Sequence, residues 1–370
     1  MKRLRKIYAS VILSFLLVIT SACGIPSTAN AAAVQPMTVN FIDVGQGDST
    51  LITCGGESML IDAGDTDKGT TVQLYLKKQG VKALKYLVLT HPDSDHIGGA
   101  PVIITKFNIG SAYVSNFKKT TKTYDKVVQA FKYKSITPTT PKVGSQVTLG
   151  TATVTFLAPN RIYDTPNNSS IALLVQDGSK RFLFTGDAEE EAESDIVDTG
   201  INIKADVYQV GHHGSSTASS DKLLDAVQPT AAVISCGEGN KYGHPHSETL
   251  TKFRSRGIAT YRTDEEGSIV AVTDGKTISW SVPASTTWQA GEKTESSTKT
   301  TAAAASKKSA KSSTKASSGT EYILNTNTKK FHLPTCSSVS KMSEKNKQES
   351  VESREQLISE GYQPCKICNP

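Results

Sequence analysis

The sequence predicts an α/β domain of layered α+β type followed by a small second unit, and three observations carry that prediction. Short apolar runs rich in β-branched residues alternate with helical patterns from residue 38 to residue 283. At 370 residues the chain is longer than one compact domain usually needs. A tract of Ser, Thr, Ala and Lys then separates this region from a short cysteine-bearing tail. Composition agrees with a globular chain, at 37% hydrophobic and 21% charged residues.

The first element is an export signal over residues 1–31. Lys2, Arg3, Arg5 and Lys6 form a basic head, and Val11 to Ile19 form an apolar run too short for a permanent membrane span. Two cleavage points compete. Ala29-Asn30-Ala31 fits ordinary processing and free secretion. Thr20-Ser21-Ala22-Cys23-Gly24 is lipobox-like, and acylation of Cys23 would anchor the chain to the outer face of the cytoplasmic membrane. Either outcome predicts an extracellular protein.

Within 38–283, strands are expected from Val39 to Val44, Ser49 to Thr53, Ser58 to Asp62 and Tyr86 to Thr90, the last delivering His91 at its C-terminal end. Later strands are expected near 111–115, 146–149, 152–157, 170–176, 181–185, 206–210, 231–235, 259–262, 268–273 and 277–281. Helical patterns fall near 70–79, 98–107, 122–131, 187–198, 217–227 and 247–256. Residues 284–320 lack apolar bulk and predict a linker that cannot repay its ordering entropy. Residues 321–370 form the second unit. Net charge is +6 with a pI near 8.8, which permits an anionic partner without demonstrating one, because much of the Lys lies in the linker. Cys54 and Cys236 are either a disulfide or two buried thiols.

The central motif is His91-Pro-Asp93-Ser-Asp95-His96-Ile-Gly98-Gly99. Two imidazoles and two carboxylates in six residues exceed the needs of a solvated loop, and this N/O set suits Zn²⁺ or Mn²⁺. The His212-His213-Gly-Ser215-Ser216 segment adds two more imidazoles and hydroxyls able to hold a phosphate, although a buried His pair is also a common structural feature. Asp43, Asp48 and Asp62 lie beside glycines, where they either support metal-bound His residues or form turns.

His-x-Asp-x-Asp-His is similar to the His-x-His-x-Asp-His signature of the metallo-β-lactamase superfamily, with Asp93 in place of the second His. With Phe41-Ile-Asp-Val-Gly-Gln-Gly-Asp-Ser49, Leu60-Ile-Asp-Ala-Gly64, Asn168-Ser-Ser, Phe184-Thr-Gly-Asp187, Val210-Gly-His-His-Gly-Ser-Ser216 and Gly243-His-Pro-His246, the chain resembles the hydrolase domain of ComEC-type competence proteins from about 38 to 280. The resemblance implies a four-layer αββα sandwich with two divalent ions at one edge. His91 and Asp93 would hold one ion, Asp95 and His96 the other, Asp187 would bridge them and His244 would complete the second site. His246 would support His244. Asn168 stands where a further His is usual, which leaves one ion poor in ligands. Asp95, His212, His213, Asn168 and Ser215 are the candidate catalytic residues.

In the tail, His332 and Cys336 precede Cys365-Lys-Ile-Cys368, a spacing suited to one structural Zn²⁺, with a Cys365–Cys368 disulfide or a redox dithiol as the alternatives. So small a unit gains from a metal staple. The segment from Cys336 through Gly361-Tyr-Gln-Pro-Cys365 to Pro370 looks like the metal-binding domain of Ada-type DNA-repair proteins, with His332 replacing one Cys. That resemblance implies DNA binding, with Lys341, Lys345, Lys347, Arg354 and Lys366 as phosphate contacts. The functional expectation is an exported metal-dependent phosphodiesterase or nuclease acting on DNA. The alternatives are a metal-dependent lactone, ester or β-lactam hydrolase, and a surface DNA-binding protein assisting uptake. No protein partner is readable.

Overall fold

The computed structural model describes residues 36–291 and, in the C-terminal unit, 322–333, 336, 338, 339, 342, 343, 346–350, 357, 358, 361–365 and 368. The expected leader with Cys23 lies outside the described residues, as do 292–320 of the expected linker and Lys341, Lys345, Arg354 and Lys366. The chain divides into two compact units, 1–297 and 298–370.

The first unit opens with a meander of β1 (Met37–Phe41), β2 (Thr50–Cys54) and β3 (Glu57–Ile61). Gly55 and Gly56, with φ of 57° and 80°, supply the left-handed pair that a tight β2–β3 hairpin requires. Next come β4 (Ala83–Leu89) and β5 (Asn108–Val114), both parallel to β3. The later strands are β6 (Gln146–Leu149), β7 (Ala152–Phe156), β8 (Leu173–Asp177), β9 (Lys180–Phe184), β10 (Val207–Gln209), β11 (Ala231–Ile234), β12 (Ala259–Arg262), β13 (Ile269–Thr273) and β14 (Ile278–Trp280). They form two seven-stranded sheets, ordered β14-β13-β1-β2-β3-β4-β5 and β12-β11-β10-β9-β8-β7-β6.

Alternation along each strand sorts side chains between two layers. In β2, Ile52 faces the other sheet with Phe41, Met59, Val154, Phe182 and Phe184, whereas Leu51 turns outward to the helices. The Phe41 and Phe184 rings meet across the sheets at 6.4 Å. Helices Gly69–Lys78, Ala100–Lys106 and Lys122–Tyr133 cover the outer face of the first sheet through Val72, Leu76, Ile103 and Phe131. Helices Glu190–Asp198, Asp221–Val227 and Ser247–Ser255 cover the second through Ile196, Leu223 and Phe253. The result is the expected αββα sandwich. Each fully buried Phe or Leu contributes about 1.5–3 kcal/mol, so the inter-sheet layer is the main source of stability.

The helix expected at 98–107 runs from Ala100 to Lys106, and a separate short helix, Ser94–Ile97, precedes it; Gly98 and Gly99 between the two pack directly on backbone. A Cβ on Gly99 would meet the Ala63 carbonyl oxygen at 2.1 Å. The helix expected from 217 starts at Asp221, where the Ser220 hydroxyl accepts from the Leu223 amide. Residues 284–291, assigned to the linker on composition, are held to the domain instead. Ser285 N donates to Thr260 O, Arg262 Nη1 donates to Gln289 O, and Trp288 packs on the outer core of the second sheet. Cys54 and Cys236 are both free, buried thiols, so they form no disulfide. Among the described residues no helix is long and apolar enough to cross a membrane.

The second unit is a four-stranded sheet, β17 (Lys347–Ser350), β15 (Tyr322–Asn325), β16 (Lys330–His332) and β18 (Gln363–Pro364) in that order. Its apolar cluster of Tyr322, Leu324, Phe331, Leu357 and Tyr362 is small.

Candidate metal centre

Parallel strands β4, β9 and β10 end at the same edge of the sandwich, the usual place for a site in such sheets. β4 runs into Thr90 and His91, β9 into Thr185-Gly186-Asp187, and β10 into a 3₁₀ turn carrying His212 and His213. Two glycines set the spacing. At Gly186 (φ 52°) a Cβ would crowd Thr90 and Ser170 at 2.9–3.0 Å. At Gly47 (φ 134°) a Cβ would sit 2.3 Å from the Asp95 carbonyl oxygen, so the Gly45–Asp48 loop lies flat on the His91–His96 loop. His212 and His213 hold φ of 51° and 54°, sparsely populated for non-glycine residues and found where a fold over-determines a site.

Asp187 is the hub. Its carboxylate lies 3.2 Å from His96 Nε2, 3.6 Å from His91 Nε2, 3.6 Å from His213 Nε2 and 3.9 Å from His212 Nε2. Asp95 Oδ2 is 3.3 Å from His213 Nε2. Supporting bonds aim these rings. His96 Nδ1 donates to Asp62 (2.8 Å), a fully buried carboxylate that also accepts from Thr90 N and Thr90 Oγ1. His213 Nδ1 donates to the Ser235 carbonyl at 2.9 Å. Both rings therefore present Nε2 to the centre. Asp62 takes the supporting role its motif suggested, whereas Asp43 accepts from Gly45 N and forms a turn.

Burial opposes protonation of His96 and His213, yet neighbouring carboxylates outweigh it, Asp187 and Asp62 for the first and Asp187 and Asp48 for the second. Both imidazoles are pushed well above the usual range. The imidazoles in turn hold Asp187 well below the usual carboxylate value against its burial. At His91 the balance is reversed: burial and the adjacent His96 outweigh Asp187 and Asp95 and lower it to about 3.

The residues present fit a divalent cation. His91 Nε2, Asp187 Oδ1 and Asp48 Oδ1 are buried without a hydrogen-bond partner, and the His96 approach to Asp187 Oδ1 is not aligned as a hydrogen bond. Asp48, His96, Asp187 and His213 can each offer one atom with all four within 4.8 Å. Of this group, His96 and Asp187 were expected as ligands, His213 as ligand or acid, and Asp48 as a supporting or turn-forming residue. His91 and Asp95 flank it.

The remaining candidates sit further out. Asp93 pairs with Lys119 Nζ at 2.6 Å. His244 stands beside His212 and His213, with ring centroids 5.5 and 6.1 Å away, and its buried Nδ1 has no partner. His246 accepts from Ser216 N. Asn168 spends its amide on Glu189 N and Glu191, ordering the turn that follows Asp187. Ser215 is buried, its hydroxyl bonded to Thr217. Lys119 was missed because nothing near it in sequence marks it.

In the second unit, considered by itself, His332, Cys336, Cys365 and Cys368 bring their donor atoms within 4.8 Å of one another. His332 Nδ1 is buried without a hydrogen-bond partner. Burial and the nearby Cys336 and Cys365 sulfurs push the Cys368 thiol up to about 11. Such crowding is relieved when a soft cation takes the thiolates.

Comparison with known proteins gives the family of the first unit. Residues 42–238 match the metallo-beta-lactamase superfamily. ComE operon protein 3 of Bacillus subtilis is 32% identical over 250 residues, covering 62% of this chain and 32% of that protein. Recombination protein 2 of Haemophilus influenzae is 32% identical over 241 residues, covering 62% of this chain and 28% of its own. The chain thus spans about a third of the length of the curated relatives it matches. Among solved structures, the metallo-beta-lactamase fold protein YhfI of Bacillus subtilis aligns over 65% of this chain and 100% of its own, at 15% identity and a TM-score of 0.43. With more than half its length matched in sequence, and with relatives that are ComEC-type competence proteins, this chain belongs to the metallo-beta-lactamase superfamily.

Proposed function

We propose that the chain is an exported metal-dependent hydrolase that cleaves phosphodiester bonds in DNA. The observation that carries this reading is the buried donor cluster centred on Asp187, whose carboxylate meets four imidazoles between 3.2 and 3.9 Å. Zn²⁺ or Mn²⁺ fits these mixed N/O donors. Asp48, His96, Asp187 and His213 would hold one ion, with His91 and Asp95 contributing towards a second. When bound, such ions acidify a water and neutralise charge on the attacked phosphorus oxygens.

The protein's own groups do the rest. Asp62 and the Ser235 carbonyl lock the His96 and His213 rings, so the centre is preorganised. His212 Nδ1 lies 3.1 Å from Thr217 Oγ1, and that hydroxyl donates to Glu189. The chain of bonds leaves His212 Nε2 facing the centre from its more open side, placed to carry a proton to the leaving oxygen. DNA is the proposed substrate because relatives carry names referring to competence and recombination, and because the tail resembles a DNA-repair metal domain. The His332, Cys336, Cys365 and Cys368 cluster would hold one structural Zn²⁺, and that unit would bind the strand with residues such as Lys347. Export rests on the leader, and acylation at Cys23 would anchor the chain outside the cell.

The test incubates the full chain with plasmid and single-stranded DNA plus Mn²⁺, Mg²⁺ or Zn²⁺ in turn, beside Asp187→Ala. Metal-dependent cutting, absent in the variant, is the expected result. Turnover of a lactone, ester or β-lactam with intact DNA would overturn the substrate, and DNA retention without any turnover would leave capture as the function. Radiolabelled palmitate incorporated by the native chain and not by Cys23→Ser would establish the anchor.

A further inference from the structure

We propose that an apolar pocket beside the metal centre seats an unstacked nucleobase next to the scissile phosphodiester, with Lys119 holding the flanking phosphate. The inference rests on the phosphodiesterase reading above and names the form of nucleic acid that the site takes. The pocket opens between the loop after β5 and helix Lys122–Tyr133. Phe117, Tyr124, Val128, Phe131 and Pro138 line it, and His91 closes its inner end. His91 therefore belongs to both spaces, since its Nε2 lies 3.6 Å from Asp187.

The walls are dry. The Ser115 hydroxyl, the polar group of the β5 loop that reaches the pocket, is spent on the Ser169 carbonyl at 2.6 Å. The same hydroxyl receives the Phe117 amide, which fixes the loop. Phe117 and Tyr124 are half-buried, so each still has aromatic surface to offer. At the lip, Asp93 continues from His91-Pro92 and Lys119 from Phe117, and their ion pair joins the two loops at 2.6 Å. An ammonium has three donors. One is directed at Asp93, which leaves two for an anion.

An apolar slot with aromatic walls and a cation at its mouth matches a base joined to a phosphate. Stacking on aromatic rings is sequence-tolerant, and a base in such a slot has left its duplex stack. Single strands are therefore the expected substrate form.

The experiment compares a single-stranded oligonucleotide, its duplex, and an abasic oligonucleotide of the same length, using the full chain with the divalent ion that supports cleavage. The intact chain should cleave the single strand with kcat/KM about tenfold or more above the abasic and duplex forms. In Phe117→Ala that preference should fall to about one, while Phe117→Trp, which keeps a stacking face, should retain it. Lys119→Gln should raise KM for base-bearing and abasic strands alike, about tenfold. Equal cleavage of base-bearing and abasic strands by the intact chain would overturn the pocket assignment and leave the phosphodiesterase reading standing. An unchanged preference in Phe117→Ala would do the same. Cleavage of none of the three would overturn both, and loss of ester hydrolysis in Phe117→Ala would then assign the slot to an acyl group.

Discussion

Asp62 holds a left-handed backbone (φ 55°) and is fully buried, both costs that a turn alone would not justify. Its three bonds to Thr90 and His96 give the reason. Asp62→Ala should leave the sandwich folded but weaken divalent-ion affinity about 10–100-fold, measured by titration against a chelator. Gly47→Ala tests the contact beneath the centre. With φ 134° and an Asp95 oxygen 2.3 Å from the added carbon, it should cost about 1–3 kcal/mol in thermal or denaturant melts. At this scale the sequence showed the His91–His96 motif directly, because the donors are adjacent. It did not show that Asp48 joins His96, Asp187 and His213, or that Asp93 faces Lys119. Those partners are brought together by loops far apart in the chain, and no local period encodes them.

Elements were more legible than their ends. Strand alternation and helical periodicity survive folding because burial enforces them, as Leu51 and Ile52 illustrate on opposite faces of β2. Boundaries shifted where a cap or a glycine contact decided, at Ser220 and at Gly98-Gly99. Helix Glu190–Asp198 hides a further device. Glu193 is fully buried and accepts the amides of Ser219 and Ser220 at 2.6 and 2.7 Å, tying that helix to the loop after His212-His213. Burial raises its pKa above 4.5, so the folded state binds this proton more tightly than the unfolded chain does. Its contribution is full below that value and fades as pH rises through the raised one. Glu193→Gln cannot ionise, so melts should show the native chain's advantage over this variant shrinking between pH 4 and pH 7.

The whole molecule has two units with different sources of stability. The first carries three extensive apolar layers, and the second a small cluster beside four metal-competent donors. Co²⁺ titrated into the full chain should give thiolate charge-transfer absorption that Cys365→Ser diminishes. Removing the ion should unfold the second unit at a lower temperature while the main transition moves far less. The division into two units was legible because the tract between them is so poor in apolar residues. Its start was not, since Trp288 carries enough apolar surface to pack while its neighbours look like linker.

The centre is a joint property of both sheets. β4, from the N-terminal half of the unit, brings His91 and His96, while β9 and β10 bring Asp187, His212 and His213. Cutting the chain in the exposed stretch before β6 would put half the donors on each fragment. Neither piece alone would carry the full donor set, and the proposed hydrolysis would return only when the two associate. The domain is thus a natural candidate for a split reporter, in which turnover counts reassembly events.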